Sequence, residues 1–356
     1  MHKVSFNNRN KEFFDTVQAR VEDYFQKNHL KKTGNFQLKL KLFILVPLMV
    51  ILYTIILVAG LPTWACMILG AILGTTMAGI GFNVMHDAIH GSYSPNKKIN
   101  KLLGLSLNML GGNAFLWKTK HNVIHHTYTN IDGLDEDIYK IPVIRQCKSQ
   151  PWYGIHRFQH LYIMFVYSIA SIMWIFVMDF TKYFSKKVYH VKLPKITTEE
   201  HIVFWVTKIY YVLLFIALPI VLFGWVKWLL IFLSIQMFMG MVLGIVFQLA
   251  HVVEQTQFVD GNSLDVKINE EWAIHQVKTT ADFAPKNKWV TWFVGGLNFQ
   301  VEHHLFPRIS HVHYPAIQPL VMKTCADFNI KYNIYPTMMG AVISHFRFMK
   351  WLGQNP

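Results

Sequence analysis

The chain has 356 residues, of which 53% are hydrophobic and only 15% are charged, whereas soluble domains carry about 25% charged residues. This composition excludes a disordered chain and disfavours a soluble cytosolic enzyme. Lysine and arginine outnumber aspartate and glutamate by 14, but the excess lies between apolar runs long enough to span a bilayer, as the positive-inside bias predicts, so nucleic-acid binding is not implied. The three cysteines have no metal-binding or redox spacing.

The chain begins with a polar, lysine-bearing segment, residues 1–41, that has no signal-peptide pattern. Within it, residues 12–25 place apolar side chains at helical spacing and predict an amphipathic helix whose role is packing. Apolar runs at residues 42–59 and 63–85, joined by a short turn, predict a hairpin of two spanning helices. Because lysines precede the first run, among them Lys41, we expect the open end of the hairpin in the cytoplasm.

Residues 202–223 and 228–250 repeat this plan and predict a second hairpin, again with lysines at its cytoplasmic end. Between the hairpins, residues 161–180 are apolar enough to span, but a crossing there would separate the two outer groups of histidines across the membrane. We therefore expect this segment to be interfacial or re-entrant if the histidines form one site. Residues 99–117 and 289–299 are shorter, each is broken by a Gly-Gly pair, and both are expected to be interfacial.

These elements predict an all-α integral membrane protein with two transmembrane helical hairpins (four spanning helices), interfacial helices and a cytoplasmic histidine-rich cap. The expected division is a cytoplasmic amphipathic N-terminal segment (1–41), a membrane domain that carries the histidines (42–320) and a cytoplasmic C-terminal segment (321–356). Both termini are expected in the cytoplasm, at the inner membrane of a bacterium or the endoplasmic reticulum of a eukaryote.

Histidine is frequent for a membrane protein, with 18 in the chain, and it is unfavourable in lipid unless it faces a cavity or a partner. Four groups stand out: His86 and His90; His121, His125 and His126; His251; and His303 and His304. Two histidines at i, i+4 on a helix share one face about 5–6 Å apart at Cβ, which suits chelation. The second helix of each hairpin reaches its histidine, His86 or His251, after 23 residues, roughly 35 Å of helix, so both are expected at one depth.

The adjacent histidines at 125/126 and at 303/304 point in different directions on a helix, so that one turn offers a ligand to each of two metal ions. Eight imidazoles exceed the four ligands of one tetrahedral ion, whereas two ions with four each retain open positions. Imidazole suits zinc, copper, iron and nickel, and the ligand type therefore does not select the metal. We take iron at an oxygen-activating site as the first choice.

The groups H-x-x-x-H, H-x-x-x-H-H and Q-x-x-H-H resemble the three histidine boxes of the membrane fatty acyl desaturases, in order and in the apolar segments between them. The resemblance extends from about residue 42 to about residue 310. The glutamine that opens the third box, with HDAIHGSYS and HHTYTNIDGLDED, is similar to the front-end, linoleoyl-CoA desaturase-like branch, which inserts a double bond between the carboxyl end and an existing double bond. The resemblance implies a di-iron cap and an O2-dependent enzyme that forms a cis double bond in an acyl-CoA or acyl-lipid.

Carried over by position, the resemblance implies iron ligation by His86, His90, His121, His125, His126, His251, His303 and His304. Gln300 and Gln248 are expected to orient ligands or bound water, the latter because Phe247 stands where some relatives carry an asparagine that binds the metal through water. Asp87 and Glu302, inside the boxes, are expected to accept hydrogen bonds from ligand imidazoles.

Side chains near the boxes allow two interpretations. Trp117 and Trp292 are candidates for lining an acyl channel, although tryptophan at a membrane boundary is more often an interfacial anchor. His311 is expected at the surface or behind the ligands. Four acidic residues after the second box are expected to form a solvated loop or, alternatively, to support the ligands: Asp132, Asp135, Glu136 and Asp137.

The chain has no His-Pro-Gly-Gly motif of a fused haem cytochrome, so the electrons are expected from a separate ferredoxin or a cytochrome b5-type protein with its reductase. O2 is the expected co-substrate, and the bilayer and an acyl-CoA or acyl-lipid are the other expected partners. Two alternatives remain: a fatty acyl or lipid hydroxylase on the same scaffold, and a metal transporter, whose ligands would be expected near the bilayer midplane. The sequence leaves open the acyl substrate, the double-bond position and the oligomeric state.

Overall fold

The structure is a computed structural model that describes residues 3–8, 11–138, 141–263 and 265–356. Residues 1, 2, 9 and 10 of the predicted N-terminal segment lie outside the described residues. The helices of the described part are α1 (Glu12–Lys27), α2 (Phe36–Val58), α3 (Thr63–His90), α4 (Lys97–Gly104), α5 (Ser106–Met109), α6 (residues 114–128), α7 (Gly154–Ser185), α8 (Thr198–Phe223), α9 (Trp225–His251), α10 (Trp272–Thr279), α11 (Lys288–Phe293), α12 (Gln300–Leu305), α13 (Tyr314–Asp327) and α14 (Met338–Gln354).

Five helices of the described residues, α2, α3, α7, α8 and α9, are long and apolar enough to cross a membrane. The predicted long apolar runs lie within them, except that residue 59 follows the end of α2. Tight turns join α2 to α3 and α8 to α9, and Gly60 and Gly224 adopt positive φ angles of 62° and 75° there. Helix α7 has 32 residues and extends beyond both ends of the apolar segment from which it was predicted. The protein is therefore a helical membrane protein.

Helix α2 begins before its apolar run because Asn35 caps it. The Asn35 side chain accepts hydrogen bonds from two backbone N–H groups of the first turn, at 2.9 and 3.3 Å. Lys41 consequently lies on the helix, where its side chain is buried. Its ammonium donates to Asn83 at 2.8 Å and to His311 at 2.9 Å. Lys41, one of the lysines from which the cytoplasmic end of the hairpin was predicted, is thus buried in the protein.

Glycine allows α3 and α9 to pack at close range. A Cβ atom on Gly74 would lie 2.1 Å from the carbonyl oxygen of Ile235. Ser234 adds a hydrogen bond of 2.7 Å to the carbonyl of Met67 across the same interface. Small residues bring membrane helices together in this way because lipid supplies no hydrophobic drive for their association. The contact fixes the relative position of the two helices that end in histidines.

Replacing Gly74 by valine is expected to separate α3 from α9, because the obstacle to the new side chain is the backbone of Ile235. Overpacking commonly costs about 1–3 kcal/mol. We expect a lower thermal midpoint and less monodisperse protein in size-exclusion chromatography after heating. Ile72→Val, on the exposed face of the same helix, is the control and should leave both unchanged. An unchanged midpoint for Gly74→Val would contradict the close contact.

π-helical turns interrupt α3, α6, α7 and α8 at Gly81–Met85, Thr119–His125, Trp174–Met178 and Leu213–Ala217. Such turns are rare and occur frequently at functional sites. The turn in α3 directly precedes His86, and the turn in α6 contains His121 and His125. The sequence spacing gave no indication of them.

Helix α1 packs on the protein through its apolar face. Its four apolar residues Phe13, Val17, Val21 and Phe25 are buried. The ring of Phe13 meets that of Phe328, just after α13, with centroids 5.7 Å apart and nearly perpendicular planes. The predicted amphipathic helix is therefore present, and its apolar face contacts protein.

The two shorter apolar stretches are interrupted at their glycine pairs. Residues 99–117 fold as short helices, with a turn at Gly111 whose φ is 100°. Residues 289–299 fold as the end of α11 and a turn in which Gly295 and Gly296 have φ angles of 61° and 67°. Only glycine adopts such angles readily.

Short strand pairs accompany the helices, which the all-α prediction did not include. Parallel pairs join Lys3–Phe6 to Asp265–Ile268, Ile131–Asp132 to Val259–Asp260, and Asp282–Phe283 to Ile334–Tyr335, and an antiparallel pair joins Lys187–Val188 to Val191–Lys192. The parallel pairs connect segments that are distant in the chain.

Candidate metal centre

Eight histidines converge in one buried cluster, and they are the eight that the sequence predicts: His86 and His90 at the end of α3, His121, His125 and His126 in α6, His251 at the end of α9, and His303 and His304 in α12. The Nε2 atoms of His86 and His121 are 3.3 Å apart, and those of His126 and His121 are 3.2 Å apart. The i, i+4 pairs share a face, with ring centroids 4.7 Å apart for His86 and His90 and 5.2 Å for His121 and His125.

The ligand atoms fall into two groups, within each of which they lie no more than 4.8 Å apart: His86, His90, His121 and His303 in the first, and His125, His251 and His304 in the second. The ring of His126 lies between them, 4.6 Å from that of His303 and 4.4 Å from that of His304. The adjacent pair in α12 therefore sends one imidazole to each group, as helix geometry predicts.

The donor atoms fit metal ions. Five buried ring nitrogens of the cluster have no hydrogen-bond partner among the described residues, namely His90 Nε2, His125 Nε2, His126 Nδ1, His251 Nδ1 and His303 Nε2. Buried polar atoms normally have a partner, so this many in one place calls for a ligand. Burial lowers the pKa of His121, His126, His303 and His304 well below the usual value. Their imidazoles are therefore neutral, the form that binds a metal.

An acidic loop supports His125. Its Nδ1 lies 3.1 Å from the carboxylates of Asp135 and Asp137, and the Lys120 ammonium lies 2.5 Å from Asp137. Burial alone would lower the pKa of His125, but the two carboxylates more than offset this and raise it. Donation from Nδ1 to a carboxylate leaves Nε2 to face the cluster, as in the carboxylate–histidine arrangement of metal sites. The expectation of a solvated loop is wrong, because Asp132, Asp135 and Glu136 are buried.

Two further supports come from residues that the sequence analysis missed. His304 Nδ1 lies 2.8 Å from the side-chain oxygen of Gln276, and His303 Nδ1 lies 3.1 Å from the hydroxyl of Tyr314. Gln276 in turn accepts a hydrogen bond of 2.8 Å from Thr129. Nothing in the sequence marks these residues, since none of them belongs to a box or to a charged run.

The two predicted glutamines lie beside the cluster. The Gln300 amide nitrogen is 2.9 Å from Nε2 of His251 and 3.4 Å from Nε2 of His304. The Gln248 side chain lines the same space as His251 and accepts a hydrogen bond of 3.1 Å from Gln146.

The two predicted carboxylates have partners other than the expected ones. Asp87 accepts hydrogen bonds from Ser310 at 2.6 Å and from Nδ1 of His311 at 3.0 Å. Glu302 accepts one from Tyr332 at 2.8 Å. These bonds take the place of the expected bonds to box imidazoles, because Asp87 faces the loop after the third box. Burial, followed by the nearby Asp282, raises the pKa of Glu302 well above its usual value, so this carboxyl is held neutral.

Replacing Gln276 by leucine is expected to weaken metal binding about 10- to 100-fold, the usual effect of removing a partner that orients a ligand histidine. The change removes the acceptor of the His304 N–H group while retaining a side chain of similar length. Metal retained after dialysis against a graded chelator series measures the effect. Wild-type retention by the Gln276→Leu variant would contradict the supporting role.

A small apolar cavity of about 30 Å³ reaches the cluster at His86, with walls from α3, α6, α7, α9 and the segment from Leu107 to Gly112. A second space of about 180 Å³ lies beside His121 and His251. Trp117 and Trp174 line both, so the two spaces adjoin. The Trp117 ring also stacks on His121, with centroids 4.3 Å apart. Trp292 lies instead near the Lys41 ammonium, 5.8 Å from its ring centroid, and is not part of either wall in the described structure.

Comparison with known proteins agrees with this geometry. The fatty acid desaturase family model matches residues 62–336. An "sn-1 linoleoyl-lipid 6-desaturase" of Arthrospira platensis is 34% identical over 97% of this chain and 93% of its own length. Its counterpart in Synechocystis sp. is 36% identical over 96% of each chain. An "Acyl-lipid (8-3)-desaturase" of Physcomitrium patens is 35% identical over 97% of this chain and 72% of its own length.

The match confirms the resemblance drawn from the histidine boxes and the prediction of an enzyme that desaturates fatty acyl chains. The alternative of a metal transporter has no support from it. The buried histidine cluster, the apolar cavity that ends at it and the similarity along nearly the whole chain lead to one conclusion: the chain belongs to the fatty acid desaturase family.

Proposed function

We propose that the protein is a front-end desaturase that inserts a cis double bond into an acyl chain carried by a membrane lipid, at a centre of two iron ions. The observation that carries the proposal is the set of eight buried imidazoles, seven of them in two groups with His126 between the groups, and their unpartnered nitrogens. The names of the two cyanobacterial relatives favour a lipid-linked acyl chain over acyl-CoA. Gln300 at the head of the third box and the pieces around the first two boxes support the front-end assignment.

The eight histidines would hold the two ions, with His126 between the groups and Gln300 beside the second. Oxidation of an unactivated methylene needs an oxidant that acid–base side chains cannot provide. When bound, the irons would supply this oxidant together with O2 and two electrons. The electrons would come from a separate reduced ferredoxin or a cytochrome b5-type protein with its reductase.

The residues of the chain would bind and aim the acyl chain. The apolar side chains that line the cavity would exclude water from the reacting carbon and hold the acyl chain beside His86, once the space of about 30 Å³ widens to admit the chain. Stacked on His121, the Trp117 ring would fix one wall next to the ligands. The position of the new double bond then depends on how far the chain enters before it meets the end of the cavity.

We further propose that the chain crosses the membrane four times, in the two hairpins α2–α3 and α8–α9, while α7 does not cross. Contacts at both ends of α7 support this. Near its start, a Cβ atom on Gly353 in α14 would lie 2.0 Å from the carbonyl of His156, and His345 in α14 contacts the carbonyl of Val252 just after α9. Near its end, Lys182 lies 2.8 Å from Glu136 in the acidic loop. Both ends thus contact elements of the histidine-bearing side.

In this arrangement residues 1–41 and 321–356 would lie in the cytoplasm with the histidines, flanking the membrane domain 42–320. The packing of α1 near Phe328 and of α14 on Val252 supports a common side for these segments. Attachment of a cysteine-reactive, membrane-impermeant label to single cysteines placed near each terminus would test the orientation; labelling of either terminus from the outside would contradict it.

Expression in a host that lacks polyunsaturated fatty acids tests the proposed function. Cells are fed defined fatty acids, and the products are separated by lipid class and analysed by mass spectrometry for double-bond position. We expect a new cis double bond on the carboxyl side of an existing one, first in lipid-bound chains. Hydroxylated products instead would favour the hydroxylase alternative, and no new product from any fatty acid offered would contradict the proposal.

A further inference from the structure

An ion pair is buried among the apolar helices beside the cavity. The Lys208 ammonium of α8 lies 2.9 Å from the Asp179 carboxylate of α7, and their side chains are only 7% and 1% exposed. Charged groups within membrane helices are unfavourable and usually serve a function. Replacing a buried pair by apolar side chains is often neutral or stabilising, so helix packing alone gives no reason to retain this one.

Lys208 uses all three of its donor hydrogens. Besides Asp179, its Nζ donates to the carbonyl oxygens of Gly111 at 2.7 Å and Ile175 at 2.8 Å. Ile175 lies in the π-helical turn of α7, and Gly111 has the positive φ that side chains rarely adopt. One ammonium therefore fixes two irregular pieces of backbone that border the apolar cavity.

The other carboxylate oxygen of Asp179 accepts a hydrogen bond of 3.1 Å from the indole N–H of Trp174. The Trp174 side chain lines both the apolar cavity and the space beside His121 and His251. A Cβ atom on Gly112 would lie 3.4 Å from the Trp174 ring, so the ring also rests against the turn that Lys208 fixes. The network thus connects the buried charge to the wall between the two spaces.

We infer that Lys208 and Asp179 are positioning residues that hold the Trp174 indole in the wall of the acyl cavity, and that this indole determines which carbon of the chain lies at the histidine cluster. The inference rests on the proposed function, since it assigns the cavity to the acyl chain. The ring, fixed by the hydrogen bond of its N–H group and bordered at Cζ2 by Gly112, gives the chain a single path. Without the bond the ring can turn, and the chain can enter to more than one depth.

Trp174→Phe tests the inference because it removes the indole N–H group and keeps an aromatic ring, while the ion pair stays intact. Trp228→Phe is the matched control: its indole N–H also donates inside the membrane helices, to the carbonyl of Phe215 at 2.9 Å, but Trp228 does not line either space. Lys208→Met is the second variant, and it removes the charge that orients Asp179.

The measurement is the ratio of the main double-bond isomer to shifted isomers, and the preference among fatty acids of different length, at matched amounts of membrane-inserted protein. For Trp174→Phe we expect the isomer ratio to fall about fivefold to tenfold, the size of one lost hydrogen bond, with a change in length preference. Lys208→Met should shift the ratio in the same direction, and Trp228→Phe should match the wild type.

A purely structural ion pair would lower the amount of protein and leave the isomer ratio unchanged. A wild-type ratio and length preference for Trp174→Phe would therefore overturn the inference, and this result stays decisive if Lys208→Met fails to accumulate. Failure of the proposed function is distinguishable, because the wild-type protein itself would then form no unsaturated product.

Discussion

Alanine at position 125 is expected to reduce desaturation more than about 100-fold, exceeding the 10- to 100-fold effect of losing a residue that only supports a ligand. His125 belongs to the second histidine group, and its Nε2 has no partner among the described residues while its Nδ1 is fixed by Asp135. The change removes a metal-binding nitrogen from the proposed centre. It also removes the imidazole that accompanies the carboxylates of Asp135 and Asp137.

Product formation and bound iron are measured on the same purified sample, together with the fraction of protein in the membrane. We expect the His125→Ala protein to be inserted but deficient in iron. His201→Ala is the control, because His201 is exposed at the start of α8. Its ring shares a hydrogen bond with Tyr183, and neither residue belongs to a histidine box. Appreciable turnover by His125→Ala would count against ligation by this residue.

Lys41→Met is expected to destabilise the protein by about 3–5 kcal/mol, the usual effect of removing one member of a buried charged network. Lys41 donates to Nε2 of His311, and Nδ1 of the same ring donates to Asp87. Burial lowers the pKa of His311 below its usual value, so a neutral imidazole joins the ammonium to the carboxylate. Methionine would leave the charge of Asp87 buried without its counterpart.

A double-mutant cycle separates this coupling from lost packing. Asp87→Asn alone should also destabilise, whereas Lys41→Met combined with Asp87→Asn should lose less than the sum of the two single changes. The thermal midpoint of the metal-free protein in detergent is the readout, because bound metal would itself shift the midpoint and Asp87 adjoins the proposed ligand His86. Strict additivity would show that Lys41 and Asp87 are independent.

The sequence was most informative where local spacing carries the chemistry. The i, i+4 pair His86/His90 and the adjacent pair His303/His304 already indicated the two-group arrangement, because a helix fixes the direction of each side chain. His121 and His125 have the same i, i+4 spacing but fall into different groups. The equal steps counted from residues 63 and 228 predicted one depth for His86 and His251, and both belong to the cluster, although α9 begins earlier than predicted, at Trp225. The interruptions in residues 99–117 and 289–299 were predicted from their glycine pairs. These features depend on neighbours within a few turns.

Features that depend on contacts across the chain were missed. Gln276 and Tyr314 reach the histidines from separate elements, and an uncharged residue outside any motif gives no signal of that kind. Lys41 was assigned to the charged segment that precedes the first spanning helix. The composition does not show that α2 begins earlier, after the Asn35 cap, and that the Lys41 side chain is therefore buried. For the acidic loop a solvated position was favoured over support of the ligands, because a run of carboxylates is usually solvated, whereas Asp135 bonds to His125.

The order in which the ribosome makes the chain has a consequence for how the enzyme matures. The histidines are spread from position 86 to position 304, and both groups include a side chain from α12. Neither group is therefore complete until α12 has been synthesised, after all five long apolar helices. If the centre holds iron as proposed, the metal would be delivered to a protein already in its membrane, and a cell short of iron would accumulate an inserted, inactive precursor that becomes active when the supply returns.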